Sequence, residues 1–106
     1  MKYYFVYILS NKTRTTFYIG VTNDLHRRVV EHYSLMGSKF TKKYKLTDLV
    51  YFEHFAEVRQ AIQREKQLKN WHRDWKLNLI RTVNPGMIDL KLTLMDGFGD
   101  SETSSE

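Results

Sequence analysis

Two short β-branched and aromatic runs near the start of the chain place the strongest constraint on its fold. The first run is KYYFVYIL (residues 2–9) and the second is TFYIGV (residues 16–21), with the polar segment NKTRT (11–15) between them. The first run places apolar side chains on both faces of a strand and the second run is also strand-like, and a polar connection this short is typical of an antiparallel hairpin. A hairpin alone is marginally stable in water, so the rest of the chain must cover its faces.

The remainder of the chain is predicted to supply a third strand and three helices. A helix can start at Thr22, Asn23 or Asp24, because each side chain can accept hydrogen bonds from the free N–H groups of a first turn. It runs through DLHRRVVEHYSL. The later segments are a lysine-rich connection at 37–45, a strand at 46–55, and helices at 57–71 and 73–82 that are followed by the turn signal NPG.

This β-β-α-β-α-α order predicts an α+β domain, with a small, mostly antiparallel three-stranded sheet flanked by helices. Helical spacing predicts apolar stripes within the helices. They are Leu25, Val29 and Tyr33 in the first, Val58, Ala61, Ile62, Glu65, Leu68 and His72 in the second, and Trp71, Trp75 and Leu79 leading into the third. Residues 87–95 alternate like a strand, or they form irregular chain that wraps the core.

Length and charge divide the chain into a basic body and an acidic end. A chain of 106 residues has the usual size of one domain, which we expect to span residues 1–95. Residues 96–106 are rich in Gly, Ser and acids, and we expect them to be disordered. Their four acids lower the net charge to +5, so residues 1–95 carry a formal charge of +9. Such a body favours a polyanionic partner, nucleic acid ahead of an anionic membrane, although a basic soluble domain without such a partner remains an alternative.

The chain contains no cysteine, which excludes disulfides, thiolate metal sites and cysteine nucleophiles. This composition fits a reducing compartment. The apolar N-terminal run is too short to span a membrane and is not followed by a small-residue cleavage site. We therefore expect a cytoplasmic protein that does not associate with membranes.

Five polar residues are candidates for a catalytic site: Tyr7, Tyr18, Arg28, His32 and Glu65. Each has an ordinary structural explanation, because tyrosine is favoured in strands, surface arginine and histidine are commonly solvated, and an inward glutamate can pair with an arginine. As a set they match phosphodiester hydrolysis. That reaction needs an activator of the nucleophile, a cation for the charge on the phosphorus oxygens, and commonly a metal ion.

The candidate residues lie in segments that resemble the GIY-YIG endonuclease superfamily, and more narrowly its small UPF0213-type members. Val6 and Tyr7 in FVYIL resemble the first half of the signature, and Tyr18-Ile19-Gly20 in FYIG resembles the second half. VTNDLHRR is similar to the segment that brings an arginine to the tenth position after the second tyrosine. EHY and AIQREKQLKNW complete the resemblance, which covers roughly residues 2–82.

The resemblance implies a divalent metal, Mg²⁺ or Mn²⁺, held by Glu65, and cleavage of DNA by a water molecule. Tyr7 would be the base, Tyr18 would position water or phosphate, Arg28 would stabilise the transition state, and His32 would donate a proton or bind phosphate. Branched or damaged DNA is the expected substrate, with RNA left open. Two positions depart from the family pattern: Phe5 stands where the first signature has glycine, and Asn78 is only a loose match for an asparagine that some relatives carry.

Two other functions fit the same sequence. A basic module could bind nucleic acid without cleaving it, with affinity from Lys42, Lys43 and aromatic residues such as Tyr44. Alternatively, the chain could be a protein-interaction domain whose charge is incidental. The presence of all five site residues favours the nuclease, because binding alone does not require Glu65.

Overall fold

A computed structural model of the chain describes residues 3–34 and 39–91, which form a three-stranded sheet covered on both faces. The elements in chain order are β1 (Tyr4–Ser10), β2 (Phe17–Thr22), α1 (Leu25–Tyr33), α2 (Lys39–Lys43), β3 (Asp48–Phe55), α3 (Val58–Asn70) and α4 (Arg73–Val83). None of the helices in this part of the chain is long and apolar enough to cross a membrane. The predicted α+β fold is confirmed.

The sheet has the order β2-β1-β3, and both pairs of strands are antiparallel. β1 and β2 form the predicted hairpin, in which Asn11 closes the turn by accepting hydrogen bonds through its side chain from the N–H groups of Thr15 and Thr16. β1 is the central strand and its residues 6–10 are buried, which explains why the first run is apolar on both faces. β2 is left as an edge strand.

Alternation along the strands separates two apolar clusters, one on each face of the sheet. One contains Tyr7, Leu9, Leu25, Val29, Leu46 and Leu49, so α1 covers this face. The other contains Val6, Ile8, Ile19, Val50, Tyr51, Ala61, Leu68 and Ile80, so α3 and α4 cover the opposite face. Tyr7 and Tyr18 therefore lie on the face of the sheet that α1 covers, whereas Glu65 lies on α3, which covers the opposite face.

Helix α1 begins directly after a side-chain cap. The Asp24 carboxylate accepts a hydrogen bond from the Arg27 N–H at 3.1 Å, as expected for one of the predicted capping residues. Thr22 stabilises the preceding turn, because its hydroxyl accepts a hydrogen bond from the Asp24 N–H at 3.0 Å. The strand end and the cap together fix the direction in which α1 leaves the sheet edge.

Several details of the sequence prediction are wrong. Residues 39–43 form the short helix α2 within the segment predicted to be a connection. Of the two alternatives for residues 87–95, the described part, 87–91, contains no strand and agrees with irregular chain against the core. The second half of the predicted strand, 92–95, and the predicted disordered tail, 96–106, lie outside the described residues. The chain before them is held to β3, because the Leu90 N–H donates to the Leu49 carbonyl at 2.7 Å and Asp89 accepts from the Leu49 N–H at 3.0 Å.

The predicted helical stripes are also too wide. Leu25, Val29, Ala61 and Leu68 are buried as expected, but five members of the stripes are exposed: Tyr33, Val58, Ile62, His72 and Trp75. Helices on one face of a three-stranded sheet meet it along a narrow line, so residues at the margins of each stripe remain in solvent.

Candidate active site

Tyr7 and Gly20 define the centre of the candidate site, because they are directly paired across β1 and β2. The Tyr7 ring lies over Gly20, and a Cβ atom built on the glycine would stand 2.5 Å from the Tyr7 hydroxyl oxygen and 2.6 Å from Cζ. Any side chain at position 20 would therefore displace the phenol. Because Gly20 has no side chain, Tyr7 can extend across the edge strand β2, and only 2% of the Tyr7 surface is exposed.

Tyr18 and His32 surround the Tyr7 ring. Ring centroids are separated by 6.3 Å between Tyr7 and Tyr18, 6.1 Å between Tyr7 and His32, and 5.7 Å between Tyr18 and His32. Tyr18 is half-buried, and it lies on the same face of β2 as Gly20 because the two residues are separated by one position. The hairpin and α1 thus bring three of the predicted site residues together.

A chain of hydrogen bonds runs from Tyr7 into α2. The Tyr7 hydroxyl lies 3.5 Å from His32 Nε2, at the long end of hydrogen-bonding distance, and His32 Nδ1 lies 3.1 Å from Thr41 Oγ1. His32 and Thr41 are both buried. Thr41 therefore fixes the orientation of the imidazole, and it attaches α2 to the site.

The surroundings of this pair keep both groups neutral in the free protein. Burial raises the pKa of the Tyr7 phenol far above its usual value, with the neighbouring Tyr18 acting in the same direction and Arg28 opposing it. Burial also lowers the pKa of His32, and the positive charge of Arg28 adds to that effect. A neutral imidazole nitrogen can accept a hydrogen bond from a neutral phenol, which fits the Tyr7–His32 contact.

Arg28 reaches the site from the first turns of α1. Its Nη1 lies 3.4 Å from Glu31 Oε1, and its side chain is 38% exposed. Its charge acts on both Tyr7 and His32. Arg28 Nε is buried and has no hydrogen-bond partner among residues 3–34 and 39–91. A buried guanidinium N–H without an acceptor is costly, so its environment suits a bound anion.

Glu65 lies on the inward side of α3, one turn from the buried residues Ala61 and Leu68, and its side chain is 15% exposed. Its carboxylate pairs with Lys69 Nζ at 2.6 Å, and its negative charge acts on the Tyr7 hydroxyl. α3 packs against β1 and β2 from the opposite layer, so Glu65 approaches Tyr7 from the far side of the edge strand.

A metal at Glu65 would have to rely on water and substrate for most of its ligands. The described part of the chain contains no group of three or more His, Cys, Asp or Glu side chains that could hold a metal. A single, mostly buried carboxylate still fits Mg²⁺ or Mn²⁺, because Mg²⁺ commonly uses one or two carboxylates together with waters and phosphate oxygens. It does not fit a closed structural site of the zinc type.

The remaining predicted residues lie at different distances from this centre. Lys42 and Lys43 are exposed on α2, the helix that Thr41 attaches to His32. Phe5 packs edge-on against Phe52, with ring centroids 6.5 Å apart, so the residue at the signature's glycine position contributes to the core. Asn78 is exposed on α4 beside Trp71 and Trp75, and no contact within the described chain joins it to Tyr7.

The sequence prediction missed three residues that shape the site: Glu31 beside Arg28, Thr41 behind His32, and Phe40, whose ring centroid lies 6.2 Å from that of Tyr18. Gly20 was recognised in the signature, but its contact with Tyr7 was not predicted. The spacing of Glu31, three residues after Arg28, could have revealed the ion pair. Thr41 and Phe40 gave no comparable signal, because the prediction placed them in a connection.

Similar proteins share both the sequence pattern and the fold. Residues 3–78 match the model of the GIY-YIG catalytic domain. The chain is 42% identical over 59 residues to a UPF0213 protein of Bacillus pumilus, a match that covers 56% of this chain but less than two thirds, 60%, of that relative. It is 41% identical over 76 residues to the UPF0213 protein CPE1444 of Clostridium perfringens, covering 72% of this chain and 81% of that one.

A solved structure with the same fold comes from Bacillus halodurans. It is the solution NMR structure of the UPF0213 protein BH0048, which matches with a TM-score of 0.51 and 30% sequence identity. The match covers 77% of this chain and 86% of that one. The fold described above is therefore shared with a UPF0213 protein of known structure.

Proposed function

The chain belongs to the GIY-YIG family of nuclease domains, and from that premise we propose that it is a metal-dependent endonuclease that hydrolyses phosphodiester bonds in DNA. The UPF0213 relatives have names that state no activity, so the reaction is argued from the site itself.

The observation that carries the proposal is the buried Nε of Arg28, which has no hydrogen-bond partner in the described part of the chain and whose charge acts on Tyr7 and His32. A phosphodiester oxygen is an acceptor of the right charge for this N–H, and a planar guanidinium can bind two oxygens of one phosphate. Because the phosphorus oxygens gain negative charge during attack, a cation held at this position stabilises the transition state more than the ground state.

Tyr7 and His32 supply a path for the proton of the attacking water. In the neutral imidazole, a proton on Nδ1 donates to Thr41 Oγ1 and leaves Nε2 free to accept from the Tyr7 hydroxyl. The Tyr7 oxygen then takes a proton from water as its own proton moves to His32 Nε2, and the resulting hydroxide attacks phosphorus. The bond between phosphorus and one sugar oxygen breaks, that oxygen leaves as a hydroxyl after taking a proton from solvent, and His32 returns its proton to solvent. This route avoids a free tyrosinate, which the buried site disfavours.

Tyr18 and Glu65 complete the proposed site. The Tyr18 ring borders both Tyr7 and His32, and in this proposal its hydroxyl would orient water or phosphate. Glu65 would hold a Mg²⁺ or Mn²⁺ ion, which supplies Lewis-acid stabilisation of the phosphate oxygens when bound. The residue would have to leave Lys69 in order to do so.

Two adjacent arginines allow a matched test of this proposal. Arg27 and Arg28 both face Glu31, at 3.8 and 3.4 Å, but Arg27 is 62% exposed and Arg28 has the buried Nε. Purified protein should cleave at least one of linear, nicked, branched or single-stranded DNA with Mg²⁺ or Mn²⁺. Arg28→Ala should slow cleavage by about 10²- to 10³-fold, whereas Arg27→Ala should change it only slightly. No cleavage by the wild type on any of these substrates, or equal losses in both variants, would refute the catalytic assignment.

A second candidate function is nucleic-acid binding without cleavage. It is favoured by one observation, the exposed Lys42 and Lys43 on α2, which offer positive charge to a nucleic-acid backbone and need no catalytic group to do so. If the protein only binds nucleic acid, the logarithm of its binding constant should fall linearly with the logarithm of the salt concentration. Neither metal should then support strand scission. The same assay therefore separates the two candidates.

A further inference from the structure

We propose that Phe40 and Tyr44 form a stacking surface for an unpaired nucleobase next to the phosphate bound in the active site. This inference deepens the proposed function and rests on it, because it names the kind of substrate that the same site would select.

The rings of Phe40 and Tyr44 extend the aromatic contacts of Tyr18 from the active site to the protein surface. The Phe40 ring centroid lies 6.2 Å from that of Tyr18, and the Tyr44 centroid lies 4.8 Å from that of Phe40. Phe40 is 45% exposed and Tyr44 is 41% exposed. A base attached to a phosphate near Tyr18 would therefore meet aromatic surface within one nucleotide.

Packing alone does not account for these rings. The segment that carries them is attached to the core by other residues: Thr41 contacts His32, and Leu46, which follows, is fully buried. The Leu46 N–H donates to the Thr41 carbonyl at 2.9 Å, which closes the end of this short helix. Phe40 and Tyr44 are thus large apolar groups left at the surface although the element is anchored without them, a pattern that marks a binding site.

Charge at the same surface favours nucleic acid as its occupant. Lys43 Nζ lies 5.3 Å from the Tyr44 ring centroid, and Lys42 is exposed beside it on α2. Proteins that bind single strands combine such cations, which contact the backbone, with aromatic side chains on which bases stack. An apolar peptide or an uncharged lipid would satisfy the rings without using the lysines.

The geometry selects an unpaired base. In a duplex both faces of a base are covered by its neighbours, so stacking on Phe40 or Tyr44 requires the base to leave the helix. A single strand, a flap or a gap presents such a base without that cost. The inference therefore predicts that the two rings raise affinity for unpaired substrates and contribute little to intact duplex binding.

Binding without divalent metal tests this inference separately from catalysis. Anisotropy of labelled single-stranded DNA, single-stranded RNA and blunt duplex DNA is measured in EDTA with wild type, Phe40→Ala and Tyr44→Ala. Each alanine variant should weaken single-strand binding by roughly 5- to 150-fold and leave duplex binding within about 2-fold. The DNA and RNA arms show whether the sugar matters at this surface.

Two further variants keep the result interpretable. Tyr44→Phe retains the ring and should bind like wild type, while Trp75→Ala removes an aromatic side chain that is 55% exposed on α4 and should also leave binding unchanged. Equal losses on duplex and single strand, no loss in either alanine variant, or a loss in Trp75→Ala as large as in Phe40→Ala would overturn the inference. Loss of single-strand binding in a protein that cleaves nothing would support this surface and refute only the nuclease.

Discussion

Tyr7 and Gly20 pair directly across the β1 and β2 strands, and the phenol occupies the space that a side chain at position 20 would fill. The two halves of the family signature are therefore one structural unit: the glycine of the second half creates the room into which the tyrosine of the first half extends. Because β2 is the edge strand, this arrangement carries the Tyr7 hydroxyl toward the sheet edge, where Arg28 and Glu65 act on it from α1 and α3.

The Gly20→Ala variant should lose both stability and cleavage. The new methyl carbon would lie within 2.6 Å of two atoms of the buried Tyr7 side chain, its hydroxyl oxygen and Cζ. Either this side chain or the strand must move, and overpacking of this kind costs about 1–3 kcal/mol. Urea denaturation measures the first effect, and single-turnover cleavage measures the second.

A double-mutant cycle and a second glycine test the cause of that loss. In a Tyr7→Ala background the added methyl meets no phenol, so Gly20→Ala should cost much less there. Gly86→Ala is the matched control, because among residues 3–34 and 39–91 a Cβ at Gly86 would meet only Ile88 Cγ2, at 3.4 Å. The same cost of Gly20→Ala in both backgrounds would show that the contact with Tyr7 is not responsible.

Glu65→Gln should remove metal-dependent cleavage while DNA affinity in EDTA stays nearly unchanged. Glutamine keeps the size of the side chain but loses the charge that attracts a divalent cation. Electron paramagnetic resonance of Mn²⁺ gives a direct reading of metal binding, which should weaken in this variant whether or not DNA is cut.

Substitution of the neighbouring Lys69 should have the opposite effect on metal binding. Lys69→Gln removes the partner that holds Glu65 at 2.6 Å, so Mn²⁺ should bind more tightly than in the wild type. If Glu65→Gln binds Mn²⁺ and cleaves DNA as the wild type does, the carboxylate is structural.

The sequence was sufficient to predict the sheet and the residues that meet on it, but it could not predict how the side chains would be partnered. The hairpin, α1 and β3 follow from short apolar alternation and from capping at Asp24, which are local properties. Thr41 contacts a residue nine positions away, and Glu65 reaches Tyr7 from the opposite layer of the sheet. These relationships depend on tertiary packing, which periodicity does not encode. The short helix α2 was missed for a related reason, because its five residues are too few for a helical pattern.

Glu31→Gln should tighten DNA binding by about two- to fivefold at low salt. Glu31 pairs with Arg28 and Arg27 at a half-exposed position, where an ion pair is commonly worth 0.2–1 kcal/mol, so its removal frees positive charge for phosphate. The slope of log affinity against log salt should steepen by at most about 0.9, the contribution of one duplex phosphate.

Glu57→Gln separates this local effect from the change in net charge. Glu57 is exposed at the start of α3, and its substitution removes the same single negative charge. Equal gains in the Glu31 and Glu57 variants would mean that Glu31 acts only through the overall field of the protein.

The free energy of unfolding should be highest between about pH 6.5 and pH 10. Tyr7 should contribute to the alkaline limit of this range and His32 to the acid limit. The pKa of Tyr7 is raised in the folded state by burial, so its contribution is complete below its usual value of 10.0 and is lost as the pH rises above that value. The pKa of His32 is lowered from 6.5 by burial and by Arg28, so the unfolded state takes up the proton first and stability falls as the pH drops below 6.5. Each group changes the stability by at most about 1.4 kcal/mol per pH unit.

Urea denaturation from pH 5 to pH 11 tests each limit with its own variant. His32→Gln should flatten the acid side of the profile, and Tyr7→Phe should flatten part of the alkaline side. The alkaline effect is only partial because the pKa of Tyr51 is also raised, by burial and by its hydrogen bond to Glu53 on the other face of the sheet. An acid limit that is unchanged in His32→Gln would mean that folding does not lower the pKa of His32, and it would contradict the burial of the imidazole.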